Sequence, residues 1–304
     1  MTDNKTETTA AGPVLASPGR RGLMQTAGLG AVALGAVAAT GAISTVPAQA
    51  ATVTDADILN FALNLEYLEA EFYLRATTGH GLQLNETNGG ECPLGPTLGG
   101  SKVPFVDKRL QRAAEDITRD EKTHVLFLRS ALGSARVNKP QIELGTSFTA
   151  LARAAGIVGP NGTFNPFADE QSFLIGAYVF EDVGVTAYHG AAPLISNKGY
   201  LSAAAGILAV EAYHAGEVRS LIQRSTNANL AVYAAKVSAV RAKLSGAADD
   251  FGPILAGNEY NIAPTDENSI AFSRTTRQVL NVVYGGVNSK GGVFFPFGMN
   301  GAIR

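Results

Sequence analysis

Asp120-Glu121-Lys122-Thr123-His124 and, ninety residues later, Glu211-Ala212-Tyr213-His214 both contain Glu-x-x-His. On a helix, residues three apart share a face, so each motif projects a carboxylate and an imidazole together. Two single carboxylates, Glu66 and Glu181, sit in other apolar helical runs. The order along the chain is therefore Glu, Glu-x-x-His, Glu, Glu-x-x-His, the ligand order of a two-metal centre inside a four-helix bundle.

One such motif alone is common on a solvated helix face. Here two of the four histidines carry a glutamate at minus three, and the neighbours are apolar. Glu121 shares its face with Ile117, Val125 and Leu128. Glu181 shares its face with Leu174, Ala177, Tyr178, Val185 and Tyr188. Glu211 shares its face with Ile207, Leu208, Ala215 and Val218. These neighbours place the carboxylates on the core stripe. Four buried glutamates without a counter-charge would repel one another and take up protons. Four carboxylates and two neutral imidazoles balance two divalent cations. Glutamate and histidine suit iron, manganese or zinc.

Working outward, the fold class is all-α. Core helices are expected over about 55–77, 104–132, 169–197 and 199–225. Thr54-x-x-Asp57 is a poor capping box for the first. Pro104 suits the first turn of the second helix and Gly133 its stop. The link Ser196–Gly199 is short, so the last two helices are antiparallel neighbours. The segment 133–168 supplies the long crossover that two hairpins need, with a short helix, Ser147–Ala155, inside it. Residues 79–104, rich in Gly, Asn and Pro, read as a long loop, which inside a compact domain is often a lid or partner surface. Beyond the bundle come a fifth helix over 229–244 and another over about 266–284. The Gly/aromatic tail Gly291-Gly292-Val293-Phe294-Phe295-Pro296-Phe297-Gly298 is expected to pack over the bundle as a strand or loop, the alternative being a partner-binding edge. The division is 1–50, 51–228 (bundle) and 229–304 (helices and covering tail).

Several residues have two readings. Glu69 rivals Glu66 as a ligand because it lies near the same face. Glu71 reads as a solvated charge. Tyr73 and Tyr188 each follow a ligand carboxylate by seven residues, two turns along the same face, so the helices that carry them look like copies. Each tyrosine either hydrogen-bonds a ligand carboxylate, or relays an electron, or simply packs. Asp120, four before His124, either orients an imidazole or is a solvated face charge.

The first fifty residues read as an export signal. Residues 1–16 are polar, rich in Ala and Thr, and expected to be disordered. Arg20-Arg21 then precede a weakly apolar Ala/Gly/Val/Leu run that ends in Ala48-Gln49-Ala50. That order resembles a twin-arginine signal with cleavage after Ala50, delivering the protein to the periplasm or outside the cell. The alternative, a membrane anchor helix, is disfavoured by the run's low hydrophobicity and by the cleavage site. No stable membrane span is expected after cleavage. Net charge is −2 and no basic patch exists, so there is no electrostatic case for nucleic acid. The single cysteine, Cys92, excludes an intrachain disulfide and a Cys-x-x-Cys electron-transfer site.

The pattern Asp120-Glu121-x-x-His124 resembles the second helix of bacterioferritins and rubrerythrins, and Glu66 with Tyr73 is similar to the first-helix ligand and tyrosine of ferritins. The likeness spans about residues 55–225. Ile58-Leu59-Asn60-Phe61-Ala62-Leu63-Asn64-Leu65-Glu66-Tyr67-Leu68-Glu69 and the Gly-Gly-x-Phe-Phe-Pro tail resemble exported ferritin-like proteins grouped with plant desiccation-related proteins. The resemblance implies a bundle holding two iron or manganese ions, with Glu66, Glu121, His124, Glu181, Glu211 and His214 as ligands and Glu121 and Glu211 as the bridges. It implies no settled reaction; oxygen or peroxide would be the partner if the protein is a redox enzyme. The long loop and the tail would obstruct a ferritin-type shell, while a smaller homo-oligomer stays compatible. Three classes of function follow: a redox enzyme of oxidase, peroxidase or catalase type, a metal-sequestering protein, and a stress protein that uses metal only to hold its bundle.

Overall fold

The computed structural model describes residues 53–304. The expected signal segment, its paired arginines and the cleavage site lie outside the described residues. The four core helices are α1 (Asp55–Thr78), α3 (Lys108–Leu132), α5 (Glu170–Ala191) and α6 (Lys198–Gln223). Between and after them come α2 (Leu84–Thr87), α4 (Thr146–Ala154), α7 (Ala228–Ser245) and α8 (Thr276–Tyr284). Strands β1 (Thr97–Leu98) and β2 (Ile142–Glu143) pair in parallel, with Thr97 opposite Ile142.

Local chemistry sets the boundaries. The box at Thr54 and Asp57 is complete: Asp57 N–H donates to Thr54 Oγ1 at 3.2 Å and Thr54 N–H donates to Asp57 Oδ2 at 2.9 Å. It is therefore better than its sequence promised. At the other end Gly79 takes φ 86° and donates to Arg75 O, a left-handed stop that glycine adopts without strain. Helix α3 starts at Lys108 rather than near Pro104, because the Asp107 carboxylate captures Arg109 N–H at 2.7 Å. Helix α5 ends at Ala191, short of 197, where Pro193 has no N–H to continue the ladder and a 3-10 turn follows. The last helix begins at Thr276 and not near 266. Asp266 Oδ1 accepts from Asn268 and Ile270 N–H, holding those residues in a turn, and the Thr275–Gln278 capping box starts the helix afterwards.

The segment 79–104 is more ordered than a loop. It contains α2 and β1, and Lys139 N–H and Asn138 N–H bond back to Thr87 and Glu91 carbonyls. The crossover and this segment thus brace each other. Cys92 within it is free and exposed.

Hydrogen bonds at the helix ends fix the bundle's directions. Asp55, at the start of α1, accepts from Ser196 and Asn197 N–H just after α5. Glu170, at the start of α5, accepts from Val106 and Asp107 N–H just before α3. Helices α1 and α5 are therefore antiparallel. Tyr200, early in α6, donates to Ala131 O late in α3, so α3 and α6 are antiparallel too.

Burial is unequal among the four. Nearly every residue of α1 from Ile58 to Tyr73 is buried, and α5 is buried almost as completely, whereas α3 and α6 keep one exposed face. A helix apolar all round belongs inside. What covers α1 and α5 is the crossover and the C-terminal part. Asn64 bonds Asn300, and Asn60 bonds Ala135 and Val137. Phe294 packs on Phe148 and Phe180, with its carbonyl accepting from Glu143 N–H. Phe294 and Phe295 are buried while Phe297 of the same tail is exposed, so the tail packs on the bundle through the first two only.

A network of ions fastens α7 and the segment before α8. Arg219 and Arg241 both reach Asp182 (2.8 and 2.7 Å), Arg241 and Arg274 both reach Asp250 (2.7 and 2.9 Å), and Arg274 reaches Asp249 (2.9 Å). All three arginines are buried. Burial pushes the Asp182 carboxyl up, but Arg219 and Arg241 outweigh it and hold it below the usual range. Glu71 departs from expectation in the same way. It is buried and paired with Arg75 at 2.9 Å and Lys139 at 3.8 Å, because the 79–104 segment folds over the face that looked solvated.

Candidate metal centre

Each core helix delivers its expected residues to one point. Glu66, Glu121, His124 and Glu211 each offer one donor atom within 4.8 Å of the others, and so do Glu121, Glu181, Glu211 and His214. All six are buried. Glu121 and Glu211 belong to both groups. The paired groups are related by an approximate twofold that exchanges α1 with α5 and α3 with α6.

The hydrogen bonds separate two kinds of carboxylate. Tyr73 OH donates to Glu181 Oε1, and Tyr188 OH donates to Glu66 Oε1. Glu66 and Glu181 thus have one oxygen held and one turned inward. Glu121 and Glu211 have neither oxygen held. Glu121 and Glu211, the two that belong to both donor groups, thus keep all four oxygens free. The tyrosines pair across helices, not with the glutamate of their own helix. Side chains lean toward their own helix N-terminus, so in antiparallel α1 and α5 each glutamate leans toward the other helix's tyrosine.

The inward atoms have no partner. Among the described residues ten buried side-chain N or O atoms lack a hydrogen bond, and eight of them belong to these six residues, including Nδ1 of both histidines. His214 Nδ1 lies 2.9 Å from Glu121 Oε1 and His124 Nδ1 lies 3.2 Å from Glu66 Oε2, but these contacts lack hydrogen-bond direction. Buried polar atoms are nearly always satisfied. Eight orphans aimed at one point are what a pair of cations would satisfy, and the oxygen and imidazole set fits such ions.

Electrostatics agree. Burial raises the Glu66 carboxyl to about 7 against the pull of His124. Burial raises Glu181 to about 8, and lifts Glu211 well above its ordinary value with the other glutamates adding to it. Glu121 goes the other way. Burial pushes it up, yet the flanking His124 and His214 outweigh this and take it down to about 2. Burial works against charge on both imidazoles, but the surrounding carboxylates raise His124 to about 11 and His214 to about 9. The metal-free cluster therefore holds protons that cations would displace.

Asp120 bonds the imidazole across the seam. Its Oδ2 lies 3.1 Å from Nε2 of His214, not of His124 four residues ahead of it. The equivalent position before Glu211 is Val210, so no side chain from α6 returns the favour to His124. Glu69 is buried but stands outside both groups of donors. Sequence reasoning missed the Arg219–Asp182 brace directly behind Glu181. Asp182 following a ligand glutamate was its only trace.

The geometry is the context for likeness to known proteins. The Ferritin-like domain family matches residues 54–224, which span the four core helices and the whole cluster. The chain is 30% identical over 269 residues to "Ferritin-like catalase Nec2" of Nesocodon mauritianus, covering 82% of this chain and 84% of that protein. It is 31% identical over 246 residues to "Desiccation-related protein PCC13-62" of Craterostigma plantagineum, covering 75% and 76%. No solved structure matches significantly. With four helices, one long crossover and a buried carboxylate–imidazole cluster at their centre, this chain belongs to the ferritin-like family.

Proposed function

We propose that this protein binds two iron or manganese ions and disproportionates hydrogen peroxide. The eight unpartnered buried donor atoms carry the reading. Glu66 with His124 would hold one ion and Glu181 with His214 the other, with Glu121 and Glu211, which belong to both donor groups, available to each. Such a pair would supply two-electron redox chemistry, enough for one peroxide to be reduced to two waters while a second is oxidised to dioxygen. The chain's own residues shape that site. Tyr73 and Tyr188 fix the terminal carboxylates. Asp120 accepts from His214 Nε2–H, which leaves the Nδ1 lone pair turned inward. The single cysteine leaves the chain without a thiolate relay, and peroxide as both oxidant and reductant needs none. The likeness to a protein named a catalase supports the same reaction.

Protein purified with its native metal should carry two ions per chain and evolve oxygen from peroxide. Glu121→Ala should lose both. Two tightly held ions with no oxygen evolution would favour the second reading, a metal-held stress protein, to which the likeness to a desiccation-related protein points. We further propose that 1–50 is a twin-arginine signal. Replacing Arg20 and Arg21 with lysine should leave precursor in the cytoplasm, and normal processing of that variant would refute the route.

A further inference from the structure

The cluster has two unlike sides. Along the α3–α6 seam an open groove reaches Asp120 and His214, with arginines on its rim. Along the α1–α5 seam the C-terminal part lies over the bundle. There it leaves a narrow, largely enclosed cavity of about 20 Å³, walled by Leu68, Val183, Val283 and Phe294, with the Glu69 carboxylate and the Arg241 guanidinium as its charged groups.

Glu69 is 4% exposed. Only burial and the neighbouring glutamates act on its carboxyl, with no hydrogen bond among the described residues. It faces the metal cluster: a Cβ on Gly184 would come 3.4 Å from Glu69 Oε1 and 2.2 Å from Glu211 Oε2. Glu69 and Gly184 thus separate the cavity from the cluster at Glu211, and Glu69 is the carboxylate that reaches both. An unpartnered buried carboxyl calls for an occupant that carries hydrogen-bonding groups. A cavity needs about 10–15 Å³ to hold one water, and this one is somewhat larger. Dioxygen has no O–H to offer. Hydrogen peroxide has two and is little larger than water.

We propose that this cavity is the peroxide pocket, with Glu69 as the hydrogen-bonding anchor and the C-terminal part as its wall against bulk water. The assignment rests on the peroxide reading above and adds where substrate sits and its size limit. Glu69 is a binding residue here, and alkyl hydroperoxides are too large to enter.

The test uses zinc-loaded protein, which fills the cluster without redox turnover, and crystals soaked in hydrogen peroxide. Density for two bonded oxygens beside Glu69 is expected in the wild type. Val283→Ile adds one carbon to the wall, which should abolish that density. In the iron- or manganese-loaded form it should raise the KM for peroxide about tenfold or more with kcat and metal count unchanged. A single spherical peak that peroxide does not alter, a structural water only, overturns the proposal. So does an unchanged KM when the Val283→Ile crystal shows the cavity filled. Should Val283→Ile not fold, the wild-type soak decides alone. Two-oxygen density in a protein that consumes no peroxide supports the pocket and refutes the catalytic reading.

Discussion

Tyr73 and Tyr188 each hold a carboxylate that belongs to the other's helix. Such support around metal ligands is worth about 10- to 100-fold in metal affinity. Tyr73→Phe should therefore weaken the ion on the Glu181–His214 side by about that factor, and Tyr188→Phe the ion on the Glu66–His124 side. Competitive chelator titration reads both, and equal effects of either change on both ions would refute the crossed pairing. Gly184 gives a steric test. Its missing Cβ is 2.2 Å from where Glu211 Oε2 sits, so Gly184→Ala must displace a proposed bridge. The helix itself gains from alanine by about 1 kcal/mol. The variant should keep its helical circular dichroism while binding fewer than two ions; two tightly bound ions would show that Glu211 moves freely. Both effects are invisible to residue type alone, since they depend on which helix faces which.

Among the elements, α7 and the segment before α8 depend on charge as much as on apolar packing. Arg241 sits between Asp182 and Asp250, buried with both. Arg241→Leu would leave two buried carboxylates short of a partner, a loss of about 3–5 kcal/mol when one member of such a set is removed. The expected result is a clear fall in unfolding midpoint, with Asp182 disturbed next to Glu181 and metal binding weakened. A midpoint shift below about 1 kcal/mol equivalent would mean that the network contributes no more than a surface pair. The unequal burial of the core helices follows from the same covering elements. Helices α1 and α5 are wrapped by the crossover and the tail, whereas α3 and α6 meet solvent along the groove at His214.

At the scale of the molecule, the metal-free cluster sets the pH dependence of stability. Glu66 and Glu181 are raised from 4.5 to about 7 and about 8, and His214 from 6.5 to about 9. Groups with raised values bind protons more tightly in the folded state than in the unfolded chain. Their stabilisation is complete below the unfolded values and fades as pH rises through the folded ones. Metal-free protein should therefore melt progressively lower between about pH 5 and 9. Glu121, lowered to about 2, acts oppositely and only at strongly acid pH. Cations bind the deprotonated folded site, so they stabilise by mass action and more so at high pH. Thermal melts with and without chelator across this range should diverge as pH rises. Curves that stay parallel would show that the six residues do not act as one proton- and metal-linked site.

The four core helices, their order and their six inward residues were legible because period and chemistry coincide. Glu-x-x-His repeats on a helical face, and several carboxylates buried side by side require a counter-charge. Glu71 reads as solvated in the sequence because its helix face is covered by a segment that follows the helix, and no local pattern records what will fold over it. The same holds for Asp120, whose imidazole comes from the opposite helix, and for both tyrosines, whose partners depend on α1 and α5 running antiparallel. The last helix is shorter than its sequence pattern predicts because Asp266 takes backbone N–H groups that a helix over about 266–284 would use. By itself the sequence determined the elements and the buried carboxylate–imidazole cluster they bring together, since those follow from periodicity and from the need of buried carboxylates for a counter-charge. Only the tertiary structure decided which tyrosine and which aspartate serve which ligand, that Glu69 opens on a walled cavity, and which seam stays wet, because each of these depends on through-space neighbours that chain order does not specify.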